Sequence, residues 1–320
     1  MKQTKKQKII WFVVALIAIF LAAPNNTFMK FALHEIGPLW VSFLRFTMLG
    51  VILLPALIHG RAGINQKSLK YSIIAGLAYV TAILSIASSI YFSQASYPAL
   101  IGISSPIIMM FYSVLLTNER VSHRSFFGIT VAALGGFLVI FLPILLSGGM
   151  SSPISPIATI LALINAAASP LMYVMAKKSV DAGMKIWTSL GIIAWVGVVV
   201  IGVVLLILNL PAPTVASLVA PSIILPIVYA VVCVMLLSRS MLTVALKHLG
   251  SAPVAGLDYL GVFLSVLVPI IALGERLSIE MAIGGGLILA GVIAIELKYT
   301  PKWISKRKAY LSSDSRSTIE

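Results

Sequence analysis

The chain has 320 residues, of which 60% are hydrophobic and only 10% are charged. A mean hydropathy of +1.07 excludes a water-soluble domain, because a soluble protein of this length exposes many more charged side chains. The net charge of +14 would suggest nucleic acid in a soluble chain, but in a membrane protein it is typical of loops that face anionic lipid. We therefore expect an all-α, polytopic membrane protein whose partner is the lipid bilayer and which binds no nucleic acid.

Ten apolar runs of about 20 residues follow one another, each long enough to cross a hydrocarbon core of ~30 Å as a helix. They predict ten transmembrane helices at 9–29, 37–58, 69–91, 96–117, 125–146, 156–176, 186–208, 218–238, 251–273 and 279–297. The first run follows four lysines and has the pattern of a signal peptide. Because Pro24 directly follows the small pair Ala22-Ala23, cleavage there is unfavourable and we expect the first helix to be retained.

The basic residues are distributed unequally between the two sets of loops. If the N-terminus is cytoplasmic, 20 of the 23 Lys and Arg residues fall in cytoplasmic segments. Only Lys30 and Arg276 fall in external segments, and Arg45 lies within a span. This bias predicts that both termini are cytoplasmic.

One motif occurs twice, at a spacing of 156 residues. The pattern Glu-Arg-x-Ser-x5-Gly-x6-Gly begins at Glu119 and again at Glu275. It predicts two five-helix repeats, at 1–147 and 148–300, followed by a cytoplasmic tail at 301–320. Because five is an odd number, the second repeat must be inverted. Inverted repeats are typical of alternating-access carriers, whose substrate site lies near the midplane.

Prolines and amides in the first helices of the two repeats mark a candidate binding site. Pro24 precedes Asn25 and Asn26, and Asn165 lies shortly before Pro170. A proline opens a helix and frees carbonyl groups, which is tolerated at membrane depth where protein or a watery cavity satisfies them. Paired interruptions of this kind point to the binding site of a carrier. The alternative is a kink whose amides cap neighbouring carbonyls.

Two charged residues lie inside predicted spans. An arginine at the depth of Arg45 costs at least ~2.5 kcal/mol and needs an anion, carbonyls or water; alternatively, it extends to the outer headgroups. Asp258 is an acid well inside a span, where burial disfavours its ionised form unless it is paired. Asp258 is therefore the candidate proton carrier, and its depth permits pairing with Arg45. The alternative is a structural acid beside Tyr259. The substrate-binding candidates are Asn25, Asn26, Arg45, Asn165, Tyr173, Asp258 and Tyr259.

The sequence offers little material for an enzyme. Its four histidines lie in or beside predicted loops without a metal-binding spacing. The single cysteine, Cys233, lies in an apolar run, which excludes an intrachain disulfide and a cysteine metal site. The acids lie mostly at segment ends, so no nucleophile, base and acid can be assembled. We expect no catalytic residues, no metal and no cofactor.

Four stretches resemble the drug/metabolite transporter superfamily, in its ten-helix EamA-type branch. They are Lys30-Phe31-Ala32-Leu33, Gly37-Pro38 with Arg45-Phe46, Ser104-Ser105-Pro106 leading to Asn118-Glu119-Arg120, and the echo Gly274-Glu275-Arg276-Leu277-Ser278. The similarity spans residues 9–297. Arg45 matches the family's helix 2 arginine, whereas Asp258 matches no family motif.

The resemblance implies a secondary active transporter of small metabolites, such as amino acids or related compounds, or drugs. It further implies outward transport, a location in the cell (inner) membrane, alternating access, and protons as the coupling ion. The small-residue faces of the predicted fifth and tenth helices suggest contact between halves or within a homodimer. The alternative function is a membrane-embedded enzyme or a receptor-like binding protein without flux.

Overall fold

A computed structural model describes residues 5–117 and 155–274, together with residue 286. Within these residues every regular element is a helix, which confirms the all-α prediction. Five helical segments in the described part of the chain are long and apolar enough to cross a membrane: Ile9–His59, Gln66–Phe92, Pro156–Asp181, Ile186–Leu208 and Pro221–Leu249. The predicted fifth and tenth helices, both Glu-Arg motifs and the tail lie outside the described residues.

The helices follow in order along both described parts of the chain. The first part contains α1 (Lys5–Ala22), α2 (Asn25–His59), α3 (Gln66–Phe92), α4 (Ser96–Ile101) and α5 (Ser105–Thr117), with a 3-10 turn at Gly102–Ser104. The second part contains α6 (Pro156–Asp181), α7 (Ile186–Leu208), α8 (Val215–Leu218), α9 (Pro221–Tyr229), a π-helix (Ala230–Ser238), α10 (Arg239–Leu249) and α11 (Ser251–Leu273).

The segment Ile9–His59 is longer than one membrane crossing requires. Its 51 residues correspond to ~76 Å of helix, against a hydrocarbon core of ~30 Å. Gly37 interrupts it with a positive φ of 76° and a ψ of 165°, a backbone conformation that glycine adopts without the steric cost of a side chain. Pro38 follows and has no amide hydrogen to continue the helix. The α2 helix therefore contains two helical stretches, joined at Gly37, and the turn at residues 23–24 separates both from α1.

Helices of the first part pack mainly against helices of the second part. The α3 helix contacts α6 and α7, the α2 helix contacts α7, and α1 contacts the π-helix, α10 and α11. At the crossing of α2 and α7, Gly50 lies against the indole of Trp195, and Gly197 lies against the ring of Phe46. The two glycines let the helices approach closely.

Three buried serines join α3 to α6 and α7. The Ser72 hydroxyl lies 2.8 Å from the Ser179 hydroxyl and 2.9 Å from the Ser189 hydroxyl, and all three side chains are fully buried. Nearby, the Asn65 amide donates to the Ala182 carbonyl at 2.8 Å. This serine cluster satisfies polar groups that could not reach water.

Replacing Ser72 with alanine should lower the free energy of unfolding by about 1–3 kcal/mol, because buried hydroxyl groups lose their partner. The matched control is Thr81→Ala on the same helix, since the exposed Thr81 hydroxyl bonds only the Leu77 carbonyl of its own helix. Thermal melting of the purified proteins in detergent measures both changes. Equal melting shifts in the two variants would contradict a stabilising role for the serine cluster.

The eighth predicted span differs from the structure at its end. The hydropathy pattern places the end of this helix at residue 238 and Arg239 in a cytoplasmic loop. In the structure, the helical segment continues through Arg239 to Leu249. Arg239 therefore drops out of the basic residues that favour a cytoplasmic N-terminus, and it enters the interior of the helix bundle.

Candidate binding site

A cavity of about 160 Å³ lies between the two parts of the chain. Its walls come from α1 to α6, the π-helix, α10 and α11. Six of the seven predicted substrate-binding residues line it: Asn25, Asn26, Arg45, Asn165, Tyr173 and Asp258. The seventh, Tyr259, lies in α11, but its side chain is outside the part that the structure describes. The sequence thus selected residues that the fold brings to one place.

Arg45 lies at the wall of the cavity and does not extend to the headgroups. Only 1% of its surface is exposed. Its Nη2 donates to Oδ1 of Asn25 at 3.5 Å, and the Asn25 amide donates to Oδ1 of Asn26 at 3.3 Å. The Nε of Arg45 has no hydrogen-bond partner among the described residues. A buried guanidinium with free donor capacity therefore faces this cavity.

Arg239 supplies a second guanidinium, which the sequence analysis did not select. Its Nη1 donates to the hydroxyl of Tyr173. The centre of the guanidinium lies 4.8 Å from the ring centroid of Tyr173 and 5.4 Å from that of Tyr79. Aromatic faces at these distances attract a cation. The two tyrosines hold Arg239 toward the cavity, which it also lines.

Asp258 lines the same cavity as Arg45 and Arg239. Among the described residues, no ion pair joins it to either arginine. The suggested pairing of Asp258 with Arg45 is therefore not formed in this structure. Asp258 instead shares the cavity with a second arginine, Arg239, that was assigned to a loop.

The local backbone explains how these side chains reach the cavity. Pro24 separates α1 from α2, and the helix resumes at once, with the amide of Phe28 bonded to the Pro24 carbonyl at 3.1 Å. Asn25 and Asn26 therefore open the new helix beside the interruption. In the second part, Asn165 and Tyr173 lie on either side of Pro170 in α6. Both proline-containing segments contribute amides to the same cavity.

A comparison with known families matches the first part of the chain. Residues 9–141 match the model of the EamA-like transporter family. Over this range the chain is EamA-like. The resemblance to the drug/metabolite transporter superfamily is thereby confirmed. EamA-like proteins are membrane transporters of small molecules and not enzymes, so the partners implied are a small-molecule substrate and the lipid bilayer.

Solved structures share the fold of this chain over more of its length. Among them, 28 chains match. One crystal structure aligns with a TM-score of 0.61 and 17% sequence identity, covering 92% of this chain and 98% of the other. At that identity the likeness shows a shared fold alone. No curated protein sequence matches the chain.

Proposed function

We propose that this EamA-like chain is a secondary active transporter that moves small metabolites outward across the cell (inner) membrane. The observation that carries the proposal is the cavity that holds Arg45, Arg239 and Asp258 between two sets of apolar helices. Ionisable groups inside a membrane domain are costly and mark the paths of substrates or ions. Asn25, Asn26, Asn165, Tyr173 and Tyr259 complete the proposed substrate-binding set.

Alternating access by two inverted repeats, 1–147 and 148–300, is part of this proposal. The helix contacts support it, because contacts between two helices have counterparts between the corresponding helices of the opposite repeats. The α3 helix packs on α6, and α1 packs on the helical segment that contains the π-helix and α10. Likewise α5 packs on α6, and α11 packs on α1. A pseudo-two-fold axis in the membrane plane generates such pairs.

Flux into proteoliposomes tests the function directly. The purified protein is reconstituted, a panel of labelled metabolites is supplied, and uptake is compared with that of liposomes without protein. Accumulation or exchange of at least one substrate is the expected result. Binding without any flux across the panel would favour a receptor-like protein instead.

The sidedness of the repeats has its own prediction. Cys233→Ser leaves the chain without cysteine, so a single cysteine can be placed beside Arg120 or beside Arg276. We expect a membrane-impermeant thiol reagent on intact cells to label the cysteine near Arg276 only. A cysteine placed at either terminus should be protected from the reagent, because both termini are expected to be cytoplasmic. Labelling of both sites from the same side would contradict the inverted arrangement.

A homodimer is the proposed assembly.

Protons are the proposed coupling ion, carried by Asp258. We expect Asp258→Asn to abolish transport driven by a pH gradient but to leave downhill exchange, because the amide cannot take up or release a proton. Proteoliposomes with and without an imposed pH gradient give the two rates. If the dependence on the gradient survives in the variant, Asp258 is not the coupling group.

A further inference from the structure

We propose that the cavity binds a small organic monoanion, whose anionic group lies at Arg45 with Arg239 as the second cation. The inference rests on the proposed function in treating this ligand as the cargo. Binding itself does not require flux, so the two proposals can fail separately. Three features of the cavity carry it: its charge balance, the surroundings of the two guanidinium groups, and its size.

The charged groups that line the cavity do not balance. Residues 5–117 and 155–274 contain three carboxylates, of Glu35, Asp181 and Asp258. Glu35 and Asp181 are exposed, and Asp181 lies 3.7 Å from the ammonium of Lys247. Only Asp258 lines the cavity, against two arginines. When Asp258 is ionised, the described lining therefore carries one positive charge in excess.

Arg45 has no counter-ion among the described residues. Its Nη2 donates to the neutral amide oxygen of Asn25 at 3.5 Å. A buried charge without a counter-ion is unfavourable, and it is retained where an anion or a polar ligand completes the site. The planar guanidinium presents two parallel donors that match a carboxylate. A ligand carboxylate in the cavity would supply the partner that the Arg45 guanidinium lacks among the described residues.

Arg239 is placed to donate hydrogen bonds to the same anion. Its Nε also lacks a hydrogen-bond partner within the described part of the chain. Tyr79 and Tyr173 contact its face, so the edge of the guanidinium is the part left to donate. Both guanidinium groups line the one cavity, and an anion between them would offset the repulsion of two like charges.

Charge and size together limit the ligand. One negative charge neutralises the described lining of the cavity when Asp258 is ionised, whereas a zwitterion brings no net charge and leaves the excess in place. The cavity volume of about 160 Å³ is well below the ~300–1,000 Å³ of sites for drug-sized ligands. A compact carboxylate is therefore a better match than a bulky drug or a neutral amino acid.

Two sets of matched probes test the charge preference. Isovalerate, isovaleramide and valine have closely similar shapes, and so do 3-phenylpropanoate, 3-phenylpropanamide and phenylalanine. In each set the first is an anion, the second is neutral and the third is a zwitterion. The melting temperature of the full-length protein in detergent is followed against probe concentration at constant ionic strength, since a ligand that binds the folded state raises it.

The anion of at least one set should bind about tenfold or more tightly than its two matched probes. Arg45→Gln should weaken anion binding by about 10- to 100-fold, the value of charge-assisted hydrogen bonds. Lys67→Gln, which removes an exposed cation far along the chain from the cavity lining, should leave it unchanged. If the amides or amino acids bind as tightly as the anions in both sets, the monoanion proposal is wrong.

Asp258→Asn provides a test that does not depend on the folding of the Arg45 variant. Removing the carboxylate takes away the negative charge that competes for Arg239, so the anion should bind more tightly, by several-fold. Unchanged or weaker anion binding in this variant would overturn the proposal. Anion binding without flux would contradict the proposed transport function but not the monoanion proposal. Flux with no preference for anions would contradict the monoanion proposal but not the transport function.

Discussion

Replacing Arg45 with alanine should lower the transport rate by about 100-fold while most of the protein still folds and inserts. The functional loss follows from the missing guanidinium, since a charge-assisted hydrogen bond contributes about 1.5–3 kcal/mol. The folded state should suffer less, because Arg45 has no carboxylate partner among the described residues and its removal breaks no ion pair there. A residue that is costly for folding and needed for binding is typical of functional sites.

Two further variants distinguish the charge of Arg45 from its planar arrangement of donors, and distinguish both from the general effect of removing an arginine. Arg45→Lys keeps the charge but loses the planar pair of donors, so we expect an intermediate transport rate. Arg61→Ala removes an exposed arginine from the 3-10 turn Arg61–Gly63, which follows α2, and should change neither the transport rate nor the yield of folded protein. Transport in proteoliposomes is normalised to the amount of folded protein recovered by size-exclusion chromatography. An equal fall in transport and in folded yield would identify Arg45 as structural.

The second large effect is expected for Gly197→Ala, which should reduce the free energy of unfolding by about 1–3 kcal/mol. A Cβ atom at residue 197 would lie 2.3 Å from Cδ1 of Phe46. Phe46 cannot easily move away, because it is fully buried and packs edge-to-face on Tyr79 at a centroid distance of 5.4 Å. The α2 and α7 helices would have to separate, with loss of contact along their crossing.

A matched glycine on the same helix provides the control. A Cβ at Gly202 would lie 3.5 Å from Phe43, which is an ordinary contact distance. Gly202→Ala should therefore be neutral or slightly stabilising, since alanine favours the helix. Phe46→Leu combined with Gly197→Ala should recover part of the loss, because neighbouring substitutions are not additive. If both glycine variants melt alike, close packing at Phe46 is not the cause.

The helical class and much of the cavity could be predicted from the sequence. An apolar run of about 20 residues has few alternatives to a membrane helix, because every backbone group must be bonded internally. Asn25, Arg45 and Asp258 stand out in such runs, since polar groups at depth need partners and therefore converge. Their convergence follows from the chemistry of the residues and required no knowledge of the contacts.

Arg239 could not be found in the same way. A span of about 20 residues reaches residue 238, and an arginine after it is normally a loop residue. The structure instead has a nine-residue π-helix at Ala230–Ser238 directly before it. A π-helix contains more residues per turn than an α-helix, so the side chains that follow it are rotated from the positions that a period of 3.6 assigns. One signal was available: apolar residues continue at helical spacing after Arg239, with Leu242, Ala245 and Leu246 all buried.

The surroundings of Asp258 were also beyond the sequence. Its depth along α11 was compatible with a pairing to Arg45, but depth does not define the rotation of one helix about another. Whether two groups pair depends on which face of each helix meets the cavity. Tertiary packing also brings Arg239, which was assigned to a loop, into the cavity with Asp258.

The excess positive charge of the described cavity lining determines which step of a transport cycle the membrane voltage would drive. In a carrier that turns this cavity from one side of the bilayer to the other while Asp258 is ionised, the described lining moves one positive charge through the electric field when it is empty and none when it holds the anion. A charge crossing a potential of 100 mV changes in energy by about 2.3 kcal/mol. With a negative cell interior, the membrane voltage draws the unloaded cavity back to face the cytoplasm. The voltage would then act on the return of the empty protein and leave the outward step to the concentration of the cargo.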